Sequence, residues 1–106
     1  PPRIAAGNQE LFALLYLAHG VKSVRDVWQS EARVKQLAAP LNSGAMLGPN
    51  FYRCGPMLDG TDPGWPTARQ VLTPDEARQT VAHLAADGVD CIKIYNHIDL
   101  PVFETI

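Results

Sequence analysis

The chain has 106 residues, of which 46% are hydrophobic and 19% charged, with nine Lys and Arg against eleven Asp and Glu for a formal net charge of −2. That is the size and composition of one ordinary soluble domain at most. Charge so nearly balanced, with no basic run longer than two residues, excludes a phosphate-backbone binder and a polybasic membrane patch.

The longest apolar stretch, Leu11 to Ala18, is too short to span a bilayer and lacks the charged flank and cleavage site of a signal peptide. A cytoplasmic location is therefore expected. Cys54 and Cys91 are too few for a disulfide scaffold and have no metal-type spacing, so both are expected to be buried free thiols. Pro1-Pro2 begins without Met, and Phe103 to Ile106 follows a helix start with no closing signal. Residues 1-106 are on this reading a fragment of a longer domain.

Asn8 is a candidate N-cap for a first helix, with Leu11, Leu14, Leu15 and Ala18 at helical spacing and Gly20 to end it. Phe12, Tyr16 and Leu17 make that helix apolar on nearly every side, so it should be mostly buried. Ser23 to Val27 reads as a strand. Ser30 can cap a second helix through Leu37, with Ala32, Leu37 and Ala38 as its apolar set and Pro40 as its end. Asn50 to Cys54, between Gly48-Pro49 and Gly55-Pro56, reads as a second strand.

Gly55 to Leu72, with three glycines and three prolines, reads as a loop long enough to be functional or disordered. Thr73-Pro74-Asp75-Glu76 joins a capping box to a first-turn proline and opens a helix whose buried stripe is Ala77, Val81, Leu84 and Ala85. Gly88 stops it, and Val89 to Tyr95 reads as a third strand. Asp99 or Leu100-Pro101 opens a last helix.

Alternating helices and strands predict an α/β fold of about three parallel strands with crossover helices. Strand starts near 23, 50 and 89 match βαβ units of roughly 30 residues plus one insertion. Three strands cannot close the eight-stranded barrel of about 250 residues, so the chain is expected to be part of a (β/α)8 TIM barrel. A small doubly wound sheet is the alternative.

In such folds functional groups collect at the carboxyl ends of the strands, here Asp26 to Trp28, Cys54 onward, and Lys93 to His97. Period-two alternation sets Ile92 and Ile94 on one face and Cys91, Lys93 and Tyr95 on the other. A buried lysine must be paired, neutralised or chemically used. A neutral amine can form a Schiff base or a carbamate, whereas on an edge strand the same lysine simply faces water.

Arg25 and Asp26 point to opposite faces, which fits a structural ion pair better than catalysis. His19 reads as a helix C-terminal cap, His83 as a helix-surface residue, and His97 as either a turn residue or a site residue at the functional end. The three histidines have no spacing that groups them around a metal. No GxGxxG, P-loop, nucleophile-elbow or HExxH pattern occurs.

Three segments in order, Leu17-Ala18-His19-Gly20-Val21-Lys22-Ser23-Val24-Arg25-Asp26, Gly48-Pro49-Asn50-Phe51 with Cys54-Gly55-Pro56, and Thr73-Pro74-Asp75-Glu76-Ala77-Arg78 running to Gly88 through Tyr95, resemble the amidohydrolase superfamily. The likeness is to its imidazolonepropionase and prolidase-like metal-dependent hydrolases and covers most of the chain, about strands two to four. It implies a (β/α)8 barrel holding one or two divalent metals, usually zinc, that activate a water to hydrolyse amide or related C–N bonds.

The same resemblance implies that Lys93, in Ile92-Lys93-Ile94, is the carboxylated lysine that bridges the metals; it is the one ligand carried over to this chain. No H-x-H pair occurs here. The likeness places that pair before Pro1, and the remaining histidines and aspartate after Ile106, so the isolated chain is expected to be inactive. Expected partners are a small molecule with an amide-type bond, neither nucleic acid nor membrane, with a homo-oligomer left open. Two other readings stand beside this one. A barrel lyase would use Lys93 as a Schiff-base amine, and a small non-catalytic α/β binding domain would carry Lys93 as surface charge.

Overall fold

A computed structural model describes residues 8–106. The order of elements is α1 (Gln9–Ala18), β1 (Ser23–Asp26), α2 (Glu31–Asn42), β2 (Asn50–Arg53), β3 (Leu58–Asp59), β4 (Arg69–Gln70), α3 (Pro74–Ala86) and α4 (Leu100–Phe103). The fold is α/β, and its strands pair in parallel. β1 lies beside β2 with Val24 opposite Phe51 and Arg25 opposite Tyr52, and β3 lies beside β4 with Leu58 opposite Arg69.

The third expected strand, residues 89–95, is present in reduced form. It makes a single parallel bridge, Leu58 to Ile94, closed by Leu58 N–H to the Lys93 carbonyl at 2.7 Å and Tyr95 N–H to the Leu58 carbonyl at 2.9 Å. Ahead of that bridge, the Asp90 amide donates to the Arg53 carbonyl at 2.7 Å, and the Arg53 amide donates to the Asp90 carboxylate at 2.9 Å. A side chain thus takes the place of a ladder bond, which interrupts regular pairing. Every strand pairing among the described residues is parallel.

Helix starts follow local chemistry. Ser30 Oγ accepts the Arg33 amide at 3.3 Å, and Thr73 Oγ1 accepts the Glu76 amide at 3.2 Å while Glu76 reaches back to the Leu72 amide at 2.7 Å. Pro40 does not end α2 as expected; the helix continues to Asn42. Proline blocks the bond to the residue four earlier, but near a C-terminus few turns remain to be disturbed, and the Met46 amide reaches the Pro40 carbonyl at 2.8 Å. Val34 and Ala38 form the buried side of α2, while Ala32 is exposed.

The core is Leu58, Val71, Ala77, Leu84 and Val102, with Val89, Ile92, Ile98 and Ile106 packed against it. It departs from the sequence reading in two ways. Residues 55–60, expected to lie at the start of a loop, continue from Cys54 an unbroken buried run, because β3 sits between β4 and the Lys93 strand. Only Ala13 of α1 is buried, against Gly48 and Leu41 on one side, whereas Leu11 and Tyr16 remain 55% and 47% exposed. Among the described residues no element covers the remaining faces of α1.

The cysteines are also corrected: Cys54 and Cys91 form a disulfide, with Cα atoms 4.4 Å apart and a sequence separation of 37. The β2 extension and the Lys93 strand are neighbours, so the two thiols meet across the sheet, and no local spacing signals this. Among the described residues no helix is long and apolar enough to cross a membrane.

Candidate functional site

The two faces of the strands differ. Val24, Asp26 and Phe51 border the groove between the sheet and helices α1 and α2, together with Phe12, Leu37 and Leu41. Ser23, Arg25, Tyr52 and Cys91, with Val24 and Asp90, border a second cleft, to which no helix contributes a lining residue among the described residues. Ile92 packs on the core, and alternation sets Lys93 and Tyr95 on the open side with Cys91. Lys93 is half-buried there, its Nζ 5.7 Å from the centre of the Tyr95 ring, and among the described residues no carboxylate pairs with it.

A buried carboxylate occupies the carboxyl end of β3. Asp59 is fully inaccessible, and its Oδ1 accepts the amides of Gly60 at 3.0 Å and His97 at 2.8 Å while Oδ2 accepts that of Gly64 at 2.9 Å. Burial acts to raise its pKa, but the amides of Gly64, His97 and Gly60, with the His97 ring, outweigh it and hold the carboxyl below the usual aspartate value. The His97 ring lies 3.7 Å from Oδ2 and hydrogen-bonds the Asp62 carbonyl at 2.9 Å.

Sequence reasoning missed Asp59 because Leu58–Asp59 was read as loop; a buried strand of two residues leaves no periodic signal. It also missed the edge-to-face pair of Trp28 and Trp65, with ring centroids 5.6 Å apart, which brings the long segment over the carboxyl end of β1.

The remaining candidates are structural. Asp26 does not form an ion pair among the described residues; its Oδ1 accepts the amides of Trp28 and Gln29, both at 3.1 Å, and so fixes the turn after β1. Arg25 stays exposed on the open face. His19 Nδ1 lies 2.8 Å from the Leu15 carbonyl, as expected of a cap, and His83 meets Glu31 of α2 at 3.1 Å. Behind the strands Arg53 binds Asp87 at 2.6 Å, and Lys35 binds the same carboxylate. The hydrogen bonds from Lys35 and Arg53 hold the Asp87 carboxyl below its ordinary value despite partial burial. Among the described residues no three His, Cys, Asp or Glu side chains cluster as a metal site would require.

No protein-family model and no curated protein sequence matches the chain. Solved structures do. A bottromycin amidohydrolase superposes with a TM-score of 0.76 at 24% identity, over 92% of this chain and 21% of that one. A prolidase from Bifidobacterium longum superposes at 0.63 and 30% identity, over 82% of this chain and 22% of that one. The chain shares its fold with amidohydrolase-superfamily structures. The A. niger ochratoxinase shares the fold at a TM-score of 0.72 and 16% identity, with 94% of this chain and 32% of that one covered. The chain spans about a fifth to a third of the length of the structures it matches.

Proposed function

We propose that this chain belongs to a metal-dependent hydrolase of amide or related C–N bonds, in which residues 1-106 supply about three consecutive strands of a (β/α)8 barrel and their helices. Lys93 carries the reading: a half-buried amine with no carboxylate partner among the described residues, on the face opposite the core-packed Ile92 and three residues before the turn that begins at Asn96. In a closed barrel that face is the interior, where catalytic groups collect.

Lys93 fits the role of one metal ligand. Carboxylation would turn a costly buried cation into an anionic oxygen donor suited to bridging two divalent ions, zinc by the family resemblance. The other ligands would come from outside residues 1–106, as the family resemblance implies. When bound, the ions would supply Lewis-acid polarisation of the scissile carbonyl and activation of a water. This chain's own contribution is to anchor Lys93 through its carbonyl to Leu58, to wall the mouth with Trp28 and Trp65, and to hold the turn at His97.

The substrate is proposed to be a small molecule, with no role for nucleic acid or membrane, and further copies of the chain are compatible with the exposed faces. The cytoplasmic location expected from sequence would leave Cys54–Cys91 in reducing surroundings, and an oxidising compartment accommodates the pair better.

The test is metal analysis of the full-length protein. The native form should hold about two divalent ions and Lys93→Ala should lose them, because a bridging ligand serves both. Undiminished metal in Lys93→Ala refutes the assignment, and borohydride trapping of a carbonyl compound on Lys93 would establish the lyase reading in its place.

A further inference from the structure

The Cys54–Cys91 bond lies where regular strand pairing stops. Just before it, the Asp90 amide donates to the Arg53 carbonyl at 2.7 Å and the Arg53 amide to the Asp90 carboxylate at 2.9 Å. Just after it, the next contact is already with β3, through the Leu58 amide to the Lys93 carbonyl at 2.7 Å. Between these contacts neither Cys91 nor Ile92 makes a backbone hydrogen bond among the described residues. The β1–β2 pair and the β3–β4 pair are separate sheets, and the chain turns away from β2 at Gly55, φ 70°, on its way to β3. The disulfide is thus a covalent tie at the junction of the two sheets, two residues ahead of Lys93.

Its two ends have different surroundings. Cys54 is 2% exposed, and its amide is fixed on the Asp26 carbonyl at 3.0 Å. Cys91 is half-buried and borders the cleft it shares with Ser23, Arg25 and Tyr52. A small thiol can therefore reach the bond from the Cys91 side. Two thiols cannot stay at bonding distance, so reduction must part the sulfurs. With Cys54 enclosed and hydrogen-bonded, that movement falls to Cys91 and is directed into the open cleft.

We propose that Cys54–Cys91 is a reducible staple: a dithiol reductant entering the cleft opens it at Cys91, and the opening frees the segment that carries Lys93 from β2. The reductant's thiolate attacks Cys91 Sγ, a mixed disulfide forms there, and the electron pair of the broken bond leaves on Cys54 Sγ, which takes up a proton. The reductant's second thiolate then attacks its own sulfur in the mixed disulfide. Cys91 departs as a thiolate and takes up a proton, and the reductant is left as its disulfide, having passed two electrons to the protein. The thiol–disulfide poise of the surroundings decides which form prevails. The staple goes beyond the hydrolase reading, and only its effect on bound metal rests on that reading. With Lys93 released, a ligand that must meet two ions in fixed geometry is no longer held in place.

The experiment uses the folded full-length protein. Brief exposure to the monothiol mercaptoethanol, quenched with acid and mapped by peptide mass, should place the mixed disulfide on Cys91 and the free thiol on Cys54. An adduct on Cys54, or no reaction until urea unfolds the protein, overturns the proposal. Dithiothreitol then completes the reduction, and amide exchange is followed in low urea. The Asp90, Leu58 and Tyr95 amides, whose hydrogen bonds hold the junction, should exchange about tenfold faster and lose their dependence on urea, the mark of local opening, while α3 amides keep theirs. If the junction amides follow the urea dependence of α3, the bond adds only overall stability and the release of Lys93 is refuted.

Metal content gives a second readout, in Cys54→Ala/Cys91→Ala so that no thiol competes for the ions. The variant should lose on dialysis the metal that the disulfide form keeps, and equal retention refutes control over Lys93. A native protein that holds no metal removes the hydrolase reading instead, and the exchange result, which needs no variant, still decides the staple.

Discussion

Gly60→Ala tests the architecture of the mouth at its tightest point. A Cβ at residue 60 would sit 1.7 Å from the His97 carbonyl oxygen, 2.6 Å from its carbon and 3.2 Å from the Ile98 nitrogen. All three are backbone atoms, so relief cannot come from a side-chain rotation; the two chains must part by more than an ångström. That movement pulls the His97 amide away from Asp59, where it now lies at 2.8 Å. Losing a hydrogen bond to a buried charged group removes about 1.5–3 kcal/mol, and the displaced backbone adds about 1–3 kcal/mol. The expected destabilisation is therefore about 3–5 kcal/mol, a large part of the 5–15 kcal/mol that typically separates folded from unfolded chains. Urea unfolding of the full-length protein, followed by the fluorescence of Trp28 and Trp65 near the same loop, measures it. Because Asp59→Asn and Gly60→Ala disturb the same bond, their effects should fall short of additivity by about 1 kcal/mol or more. A Gly60→Ala protein within about 0.5 kcal/mol of native would refute the close approach and the reasoning built on it.

Three further outcomes follow from the core, the disulfide and the buried acids. Leu84→Ala, at a fully buried position among Leu58, Val71 and Ala77, should destabilise by about 2–5 kcal/mol in thermal or urea unfolding. Cys54→Ser/Cys91→Ser, or reduction, should lower stability by about 4 kcal/mol for a loop closed over 37 residues, measured as a lower urea midpoint. Asp59 and Asp87 both have native pKa values below their unfolded ones, so their contribution is complete above about pH 4 and disappears as pH falls through the native values. Stability measured between about pH 5 and 2 should decline, and less steeply in Asp87→Asn.

Much of the order of elements is legible in the sequence because it is written locally. Thr73 to Glu76 declares α3 through side chains that reach their own backbone, and Gly88 ends it; Ser30 does the same for α2. What escaped is set by contacts between distant segments. The buried residues 55–60 look like loop because Gly55, Pro56 and Gly60 punctuate them, yet Leu58–Asp59 lies between two parallel neighbours. The disulfide and the Asp59–His97 contact join residues 37 and 38 apart, separations at which no periodicity operates. The opposite error, an apolar α1 read as buried, arises because composition states what a helix can pack against, while the described residues give it only one neighbouring surface. Lys93 stands out in the sequence through strand alternation, and the structure places it half-buried beside Tyr95.

The disulfide also makes residues 54–91 a closed covalent ring that contains β3, β4, α3 and the exposed segment over the mouth. A protease that cuts once in residues 61–66, an unbroken exposed run in that ring, therefore releases nothing. The two pieces stay joined and run as one species until a reductant separates them, so the segment over the mouth can be opened without losing the strand that carries Lys93.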